Sequence, residues 1–360
     1  MTILHILHAA RAEGTVKLAV DWLADSHIRQ EVVTLNAEPT DLREELERQA
    51  AWFDPGTRIP EGRIKFPWMF VRSWRICRKR KPDLVICWMN GFSPWILAGA
   101  RLAGVRRLIT HAGNPPDREL KGRIMAVFST FVAWVTGAKM VCCSDYVATE
   151  IARSPGVFKS VLRMVPNCAP IARIRRLAED SRARRKEAGI RFIMVATLEG
   201  HKDHATLIRS MPFVLKSLPD ARLVLVGDGS LRQSLEALSA ALGVGASVSF
   251  LGSRRDVPLL LGGSDVFVFS TTWQEGLGTV LIEAMAAGLP IVATNVPACS
   301  EAIGGGRWGT LVPPGDPEAL AAAMVASTRE LKTADSRPRR EYLEKFVPAR
   351  MIAGYQAVTL

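Results

Sequence analysis

The chain has 360 residues, 48% of them hydrophobic and 23% charged, with a formal net charge of +12. That length suits two domains of roughly 150 to 200 residues, and the apolar content can fill two cores, which excludes a fibre or a disordered chain. The positive charge favours anionic partners, phosphates or an anionic membrane surface; nucleic acid is not expected, since no zinc-finger spacing, RNP-type aromatic motif or recognition-helix signature accompanies it.

Short apolar strands alternate with amphipathic helices from the start. Residues 3–7 read as a strand, 16–23 as a helix, 31–35 as a strand, and 83–88 as a buried strand after the basic run 78–81. Residues 108–111 and 139–143 read as further strands, with a helix capped by the Ser144 hydroxyl. After Val165-Pro166-Asn167-Cys168, the Arg-, Ala- and Glu-rich stretch 171–189 reads as a connection. A second series follows, with strands at 191–196, 222–226, 247–251, 266–270 and 290–293 and helices at 204–216, 230–242 and 279–287. Residues 339–359 read as a C-terminal helix. The expected organisation is an α/β domain over 1–170, the connection 171–189, a second α/β domain over 190–338, and a tail 339–360 packing back toward the first.

The apolar run 3–7 has no basic residues before it, so no secretory leader is expected. The longest apolar stretch, 124–135, is broken by Ser129 and Thr130 and falls short of the ~20 residues that span a bilayer. Cys77, Cys87, Cys142, Cys143, Cys168 and Cys299 form no C-x-x-C pair and read as reduced thiols of a cytoplasmic protein.

The segment richest in chemistry is Trp273-Gln274-Glu275-Gly276-Leu277-Gly278-Thr279, continuing through Glu283-Ala284-Met285-Ala286 to Gly288-Leu289-Pro290. A strand ends at Ser270-Thr271, a loop follows, and a helix starts near Thr279; Gly288 stops it and Pro290 prevents its continuation. Gly276 and Gly278 permit close approach of a ligand, and the free N–H groups at the helix start make an anion site suited to a diphosphate. Glu275 and Glu283, seven residues apart, flank that site, and each carboxylate can accept two hydroxyl hydrogen bonds.

This segment resembles the E-x7-E signature of glycosyltransferase family 4, with Leu277 in place of the usual aromatic residue. Further stretches resemble the family in order: Thr197-Leu198-Glu199-Gly200-His201-Lys202-Asp203-His204, Leu223 to Gly229, Phe250-Leu251-Gly252 with Asp256-Val257-Pro258, and Ser264 to Phe269. The resemblance covers residues 190–320 closely and the N-terminal half loosely. It implies the GT-B form of the α/β class, two Rossmann-like domains facing across a cleft, and a retaining transfer of a sugar from a UDP- or GDP-linked donor, with no essential metal. By the same resemblance Glu283 binds ribose, Glu275 binds sugar hydroxyls near the reacting carbon, and Gly276, Leu277, Gly278 and Thr279 surround the diphosphate. Gly227 lies beside the donor, Gly14 either approaches the donor phosphate or the acceptor or is an ordinary strand–helix turn, and Lys202 neutralises the leaving group. Thr197 stands where the family has an arginine; Arg254 or Arg255 would replace that cation, or activity would be low.

His111, just past a strand in Thr110-His111-Ala112-Gly113, matches the position of a family histidine near the reacting centre, and Asn167 a hinge position read as structural. His201 and His204 lack the further ligands a zinc site needs and read as loop residues beside the phosphate site. Basic and aromatic residues alternate over 62–81, and 118–139 adds Phe128, Phe131 and Trp134. Both stretches read either as membrane-surface elements or as helices packing their aromatics inward. With relatives that glycosylate lipid-linked acceptors, the first reading implies peripheral association with the inner face of the cell membrane and a saccharide or lipid-linked saccharide acceptor, in polysaccharide or lipopolysaccharide synthesis. Three rivals stand. A catalytically inactive donor-binding protein is motivated by Thr197, and a nucleotide-sugar epimerase shares the architecture. A nicotinamide oxidoreductase is disfavoured, because Gly227-Asp228-Gly229-Ser230-Leu231-Arg232 lacks the third glycine of G-x-G-x-x-G.

Overall fold

The structure, a computed structural model, describes residues 1–11, 14–185, 189–329 and 337–358. Ala12 and Glu13 of the first turn, residues 186–188 of the expected connection and Thr359 of the expected C-terminal helix lie outside them. The chain divides into two compact units, one of residues 1–168 together with the stretch from Pro348, the other running from Ala169 to Val347.

The first unit contains β1 (Thr2–Leu7), α1 (Gly14–Asp25), β2 (Arg29–Thr34), α2 (Arg43–Gln49), β3 (Trp52–Asp54), α3 (Lys65–Arg80) and β4 (Leu84–Cys87). It continues with α4 (Ser93–Leu102), β5 (Arg107–Ala112), α5 (Leu120–Thr136), β6 (Lys139–Cys142), α6 (Asp145–Ala152) and β7 (Leu162–Met164). The strands form one parallel seven-stranded sheet in the order β3-β2-β1-β4-β5-β6-β7. β1 and β4 are nearly continuous apolar runs, buried on both faces as helix-covered parallel strands must be. The Ser144 hydroxyl accepts from the N–H of Val147 at 3.1 Å and caps α6, as its position predicts.

The second unit contains α7 (Ile171–Arg184), β8 (Arg191–Val195), α8 (His204–Ser217), β9 (Arg222–Val226), α9 (Arg232–Ala241), β10 (Val248–Phe250) and α10 (Val257–Gly262). It then runs through β11 (Val266–Phe269), α11 (Thr279–Ala286), β12 (Ile291–Thr294), α12 (Pro297–Ala302), β13 (Thr310–Val312), α13 (Pro317–Ser327) and α14 (Arg337–Leu343). Its parallel sheet has six strands in the order β10-β9-β8-β11-β12-β13. The stretch read as a connection is thus mostly helix, and it belongs to this unit. Ile171, Ile174 and Ala178 on α7 are buried, and Gly262 of α10 lies so close that a Cβ there would sit 2.2 Å from the Ala178 carbonyl oxygen.

The C-terminal stretch is two helices rather than one. Val347 is extended, with φ −78° and ψ 149°, because Pro348 disfavours helical backbone before it. Beyond that break α15 (Pro348–Val358) belongs to the first unit, where Met351, Ile352 and Tyr355 join Trp22, Leu18, Val165 and Cys168 in one apolar cluster.

Candidate functional site

In the second sheet, chain order reverses between β8 and β11: β9 and β10 follow on one side, β12 and β13 on the other. Ligands of open parallel sheets bind where the loops after two such strands diverge. The loop after β8 carries Lys202, and the loop after β11 carries Glu275. The first loop is fastened to the second. The His201 carbonyl accepts from the Thr272 N–H at 3.0 Å and the Thr271 hydroxyl at 2.8 Å, and the Ser270 hydroxyl donates to the Asp203 carbonyl at 3.0 Å. Asp203 itself is left-handed, at φ 39°, and its carboxylate caps α8 by accepting from the N–H of Thr206. That sharp turn holds Lys202 against the second loop.

Lys202 Nζ donates to Glu275 Oε2 and lies 5.5 Å over the Phe269 ring. Glu275 is 6% exposed. Its Oε1 accepts from the backbone N–H groups of Gly276 at 3.1 Å and Gly278 at 3.2 Å. Burial alone would raise the Glu275 carboxyl; the Lys202 charge and hydrogen bond, the Gly276 N–H and His201 outweigh it and hold the group below its ordinary value. Glu275 therefore does not merely flank the anion site. Its carboxylate rests on two of the N–H groups expected to face a diphosphate.

Gly278 immediately precedes α11 at φ 70°, and a Cβ there would crowd Leu281 and Phe269. Leu277 is buried, while Thr279 and Glu283 on α11 are half-buried. Two other expected donor contacts also have contacts within the chain. Gly227 sits at φ 138°, a Cβ there would lie 1.9 Å from the Ala196 carbonyl oxygen, and its N–H donates to Gly252 at 2.9 Å. It is a glycine because two backbones cross, and its N–H is committed. Arg254 pairs at the surface with Asp256 through two hydrogen bonds of 2.8 and 2.7 Å. His204 opens α8 rather than lying in the loop; it is buried, and burial, then the Lys202 and His201 charges, push its pKa down to about 4. Among the described residues no group of three or more His, Cys, Asp or Glu side chains could hold a metal ion.

In the first unit the order reverses between β1 and β4. His111, on β5 beside β4, is 1% exposed, and burial pushes its pKa down to about 4. Its Nδ1 lies 2.7 Å from Tyr355 Oη on α15, and its ring packs 5.2 Å from Trp88. Trp88 Nε1 donates to His5 Nδ1 at 3.0 Å, and His5 Nε2 lies 2.6 Å from Gln30 Oε1. His111 Nε2 has no hydrogen-bond partner among the described residues; a Cβ on Gly113 would come within 3.2 Å of it. Gly14, the first residue of α1, is exposed, and a Cβ there would meet nothing within 4 Å. Sequence reading missed Tyr355, Trp88, His5 and Gln30, which nothing in local spacing connects.

The two basic-aromatic stretches behave differently. Arg72 pairs with Asp54 at 3.0 Å, Arg80 pairs with Glu31 and packs 4.3 Å over Trp52, and Phe66 lies 5.4 Å from Trp95, so much of α3 faces inward. Arg75, Arg78 and Lys79 stay exposed. On α5, Leu120, Ile124, Phe131, Trp134 and Val135 form an exposed apolar stripe, with Lys121 and Arg123 exposed at its start. No helix among the described residues is long and apolar enough to cross a membrane.

Residues 177–334 match the family model for glycosyl transferases group 1, and residues 12–173 that for glycosyltransferase family 4. Over 237 residues the chain is 32% identical to an uncharacterized glycosyltransferase of Methanocaldococcus jannaschii, covering 61% of this chain and 57% of that one. It is 29% identical over 267 residues to a GDP-mannose-dependent alpha-(1-6)-phosphatidylinositol monomannoside mannosyltransferase of Mycolicibacterium smegmatis, 67% of this chain and 66% of that one. The matched region therefore spans less than two thirds of either relative. The fold is shared with HepE of Anabaena, solved in complex with UDP-glucose, at a TM-score of 0.80 and 19% identity over 99% of this chain and 98% of that one.

Proposed function

The chain belongs to the group 1 and family 4 glycosyltransferases, with the GT-B fold, and from that premise we propose that it is a retaining hexosyltransferase using a UDP- or GDP-linked donor. The observation that carries the reading is the Lys202–Glu275 pair lying on the N–H groups at the start of α11. A cation and a helix N-terminus in a nearly dry setting suit the charge that develops on a departing diphosphate.

In the proposed sequence the donor's phosphate oxygens take over Lys202 and the Gly276 and Gly278 N–H groups. Glu275 turns to the sugar hydroxyls, Glu283 takes the ribose side, and the Thr279 N–H stays with the diphosphate. The acceptor hydroxyl attacks from the face the diphosphate leaves, and its proton passes to a departing phosphate oxygen. The chemistry is assigned to these side chains and N–H groups, with no essential metal. His111 offers a neutral contact to a bound saccharide. The acceptor is a lipid-linked saccharide of cell-surface polysaccharide or lipopolysaccharide synthesis, and the chain associates peripherally with the inner face of the membrane. The exposed apolar stripe of α5 and its basic start support that placement.

Nucleoside diphosphate release from UDP- and GDP-linked sugars, measured with and without saccharide acceptors, tests the reading. Acceptor-dependent release with retained anomeric configuration is expected. Donor binding without release identifies an inactive donor-binding protein. Interconversion of donors without acceptor identifies an epimerase.

A further inference from the structure

The proposed function gives His111 a contact with substrate but does not say which hydrogen-bonding role its ring can play. The surrounding hydrogen bonds decide that. Tyr355 is fully buried, and its Oη lies 2.7 Å from His111 Nδ1. Two hydrogen placements are possible. If Nδ1 carried the hydrogen and donated to the phenol oxygen, the Tyr355 hydroxyl hydrogen would need a second acceptor, and no such bond occurs among the described residues. Nε2 would then also be a bare acceptor without a partner. If the Tyr355 hydroxyl donates to Nδ1, only the Nε2 hydrogen is unmet. A buried polar group left unsatisfied is costly, so the second placement, which leaves one where the first leaves two, wins.

We infer that Tyr355 is a positioning residue: by donating to Nδ1 it fixes His111 as the neutral Nε2–H form, a hydrogen-bond donor to a substrate oxygen rather than a base. The rest of the cluster holds the ring in place. Trp88 lies against it, anchored by its own donation to His5, which in turn donates to Gln30. Trp22 meets Tyr355 edge-on at 5.1 Å, fixing the phenol. Burial keeps both partners in the required state, lowering His111 to about 4 and holding Tyr355 well above its usual range. A sugar hydroxyl or phosphate oxygen can accept from such a donor without the ring taking charge. The inference rests on the reading that His111 meets substrate.

Ring-nitrogen NMR of histidine-labelled protein at neutral pH gives the first test. A protonated Nε2 and a lone-pair Nδ1 are expected for His111, and the opposite pattern overturns the assignment. Tyr355→Phe keeps the ring packing and removes only the donor. It should average the His111 nitrogen signals and lower kcat about tenfold, roughly one neutral hydrogen bond, with donor KM little changed. His111→Gln, whose amide N–H falls near the Nε2 position, should retain more activity than His111→Asn or His111→Ala. An unchanged nitrogen pattern in Tyr355→Phe overturns the role of Tyr355. A wild-type rate in His111→Ala instead overturns the reading on which it rests, while leaving the nitrogen pattern as found.

Discussion

At the ends of β8 and β11 a lysine, a glutamate and two backbone N–H groups close on one another, whereas at the ends of β4 and β5 a tryptophan and a histidine meet a tyrosine with no charge among them. Both clusters are almost dry, yet they solve burial in opposite ways. In the second unit the charges are kept and paired, and the carboxyl of Glu275 is stabilised as an anion. In the first, the titratable ring is kept neutral, and His111 Nε2 is left with hydrogen-bonding capacity to spare. Fixed charge suits a step that releases a diphosphate, and a neutral donor suits recognition of hydroxyls, which carry no net charge to balance.

Acid should separate the two units most strongly. His5 and His111 in the first unit and His204 in the second all have pKa values pushed from 6.5 to about 4, with burial the largest cause in each. The unfolded chain therefore takes up protons first. The stability these rings contribute is whole above about 6.5, drains as the pH falls and is gone near 4, on the order of 3 kcal/mol for each ring. Two strongly shifted rings lie in the first unit against one, His204, in the second, where His201 is lowered by less, so the first unit should open at the higher pH. Hydrogen exchange of β1 and β5 amides against those of β8 and β11 reads the order, and simultaneous opening would erase the contrast.

Removing charge gives the next largest effect. Lys202→Ala and Glu275→Ala should each lower turnover at least about a hundredfold, near 2.7 kcal/mol of transition-state stabilisation. Steady-state rates with saturating donor check this, and wild-type rates in both variants would leave the charged cluster a structural feature only. The smallest effect is expected at the surface. Neutralising Arg75, Arg78 or Lys79 singly should weaken binding to anionic vesicles by about 1 kcal/mol each at low salt. Vesicle co-sedimentation over a salt series measures it; binding that ignores salt would assign the contact to the apolar stripe of α5 alone.

The alternating strands and the 273–290 segment were legible because loop, helix start and helix stop are local signals, and the Ser144 cap was legible for the same reason. Trp52–Asp54, Leu162–Met164 and Thr310–Val312 escaped notice because three residues on a sheet edge carry no readable alternation. The backbone crossing at Gly227 was not legible, because a glycine after a strand looks alike whether it yields to a ligand or to a neighbouring backbone, and the crowding atom belongs to Ala196 on another loop. His111 was singled out while its partner was not: Tyr355 lies 244 residues further along the chain, and only the break at Pro348 sends it to the first sheet.

That return has a consequence for how the chain is made. All seven strands of the first sheet leave the ribosome before the second unit, but Met351, Ile352 and Tyr355, which complete the packing around Trp22, are translated after it. A nascent chain emerges at about 5 to 20 residues per second, so the first domain must wait many seconds, with its aromatic hollow open, while the whole second domain is synthesised and free to fold. Birth order and completion order are reversed, and a truncation that removes Pro348–Val358 would harm the unit that was made first.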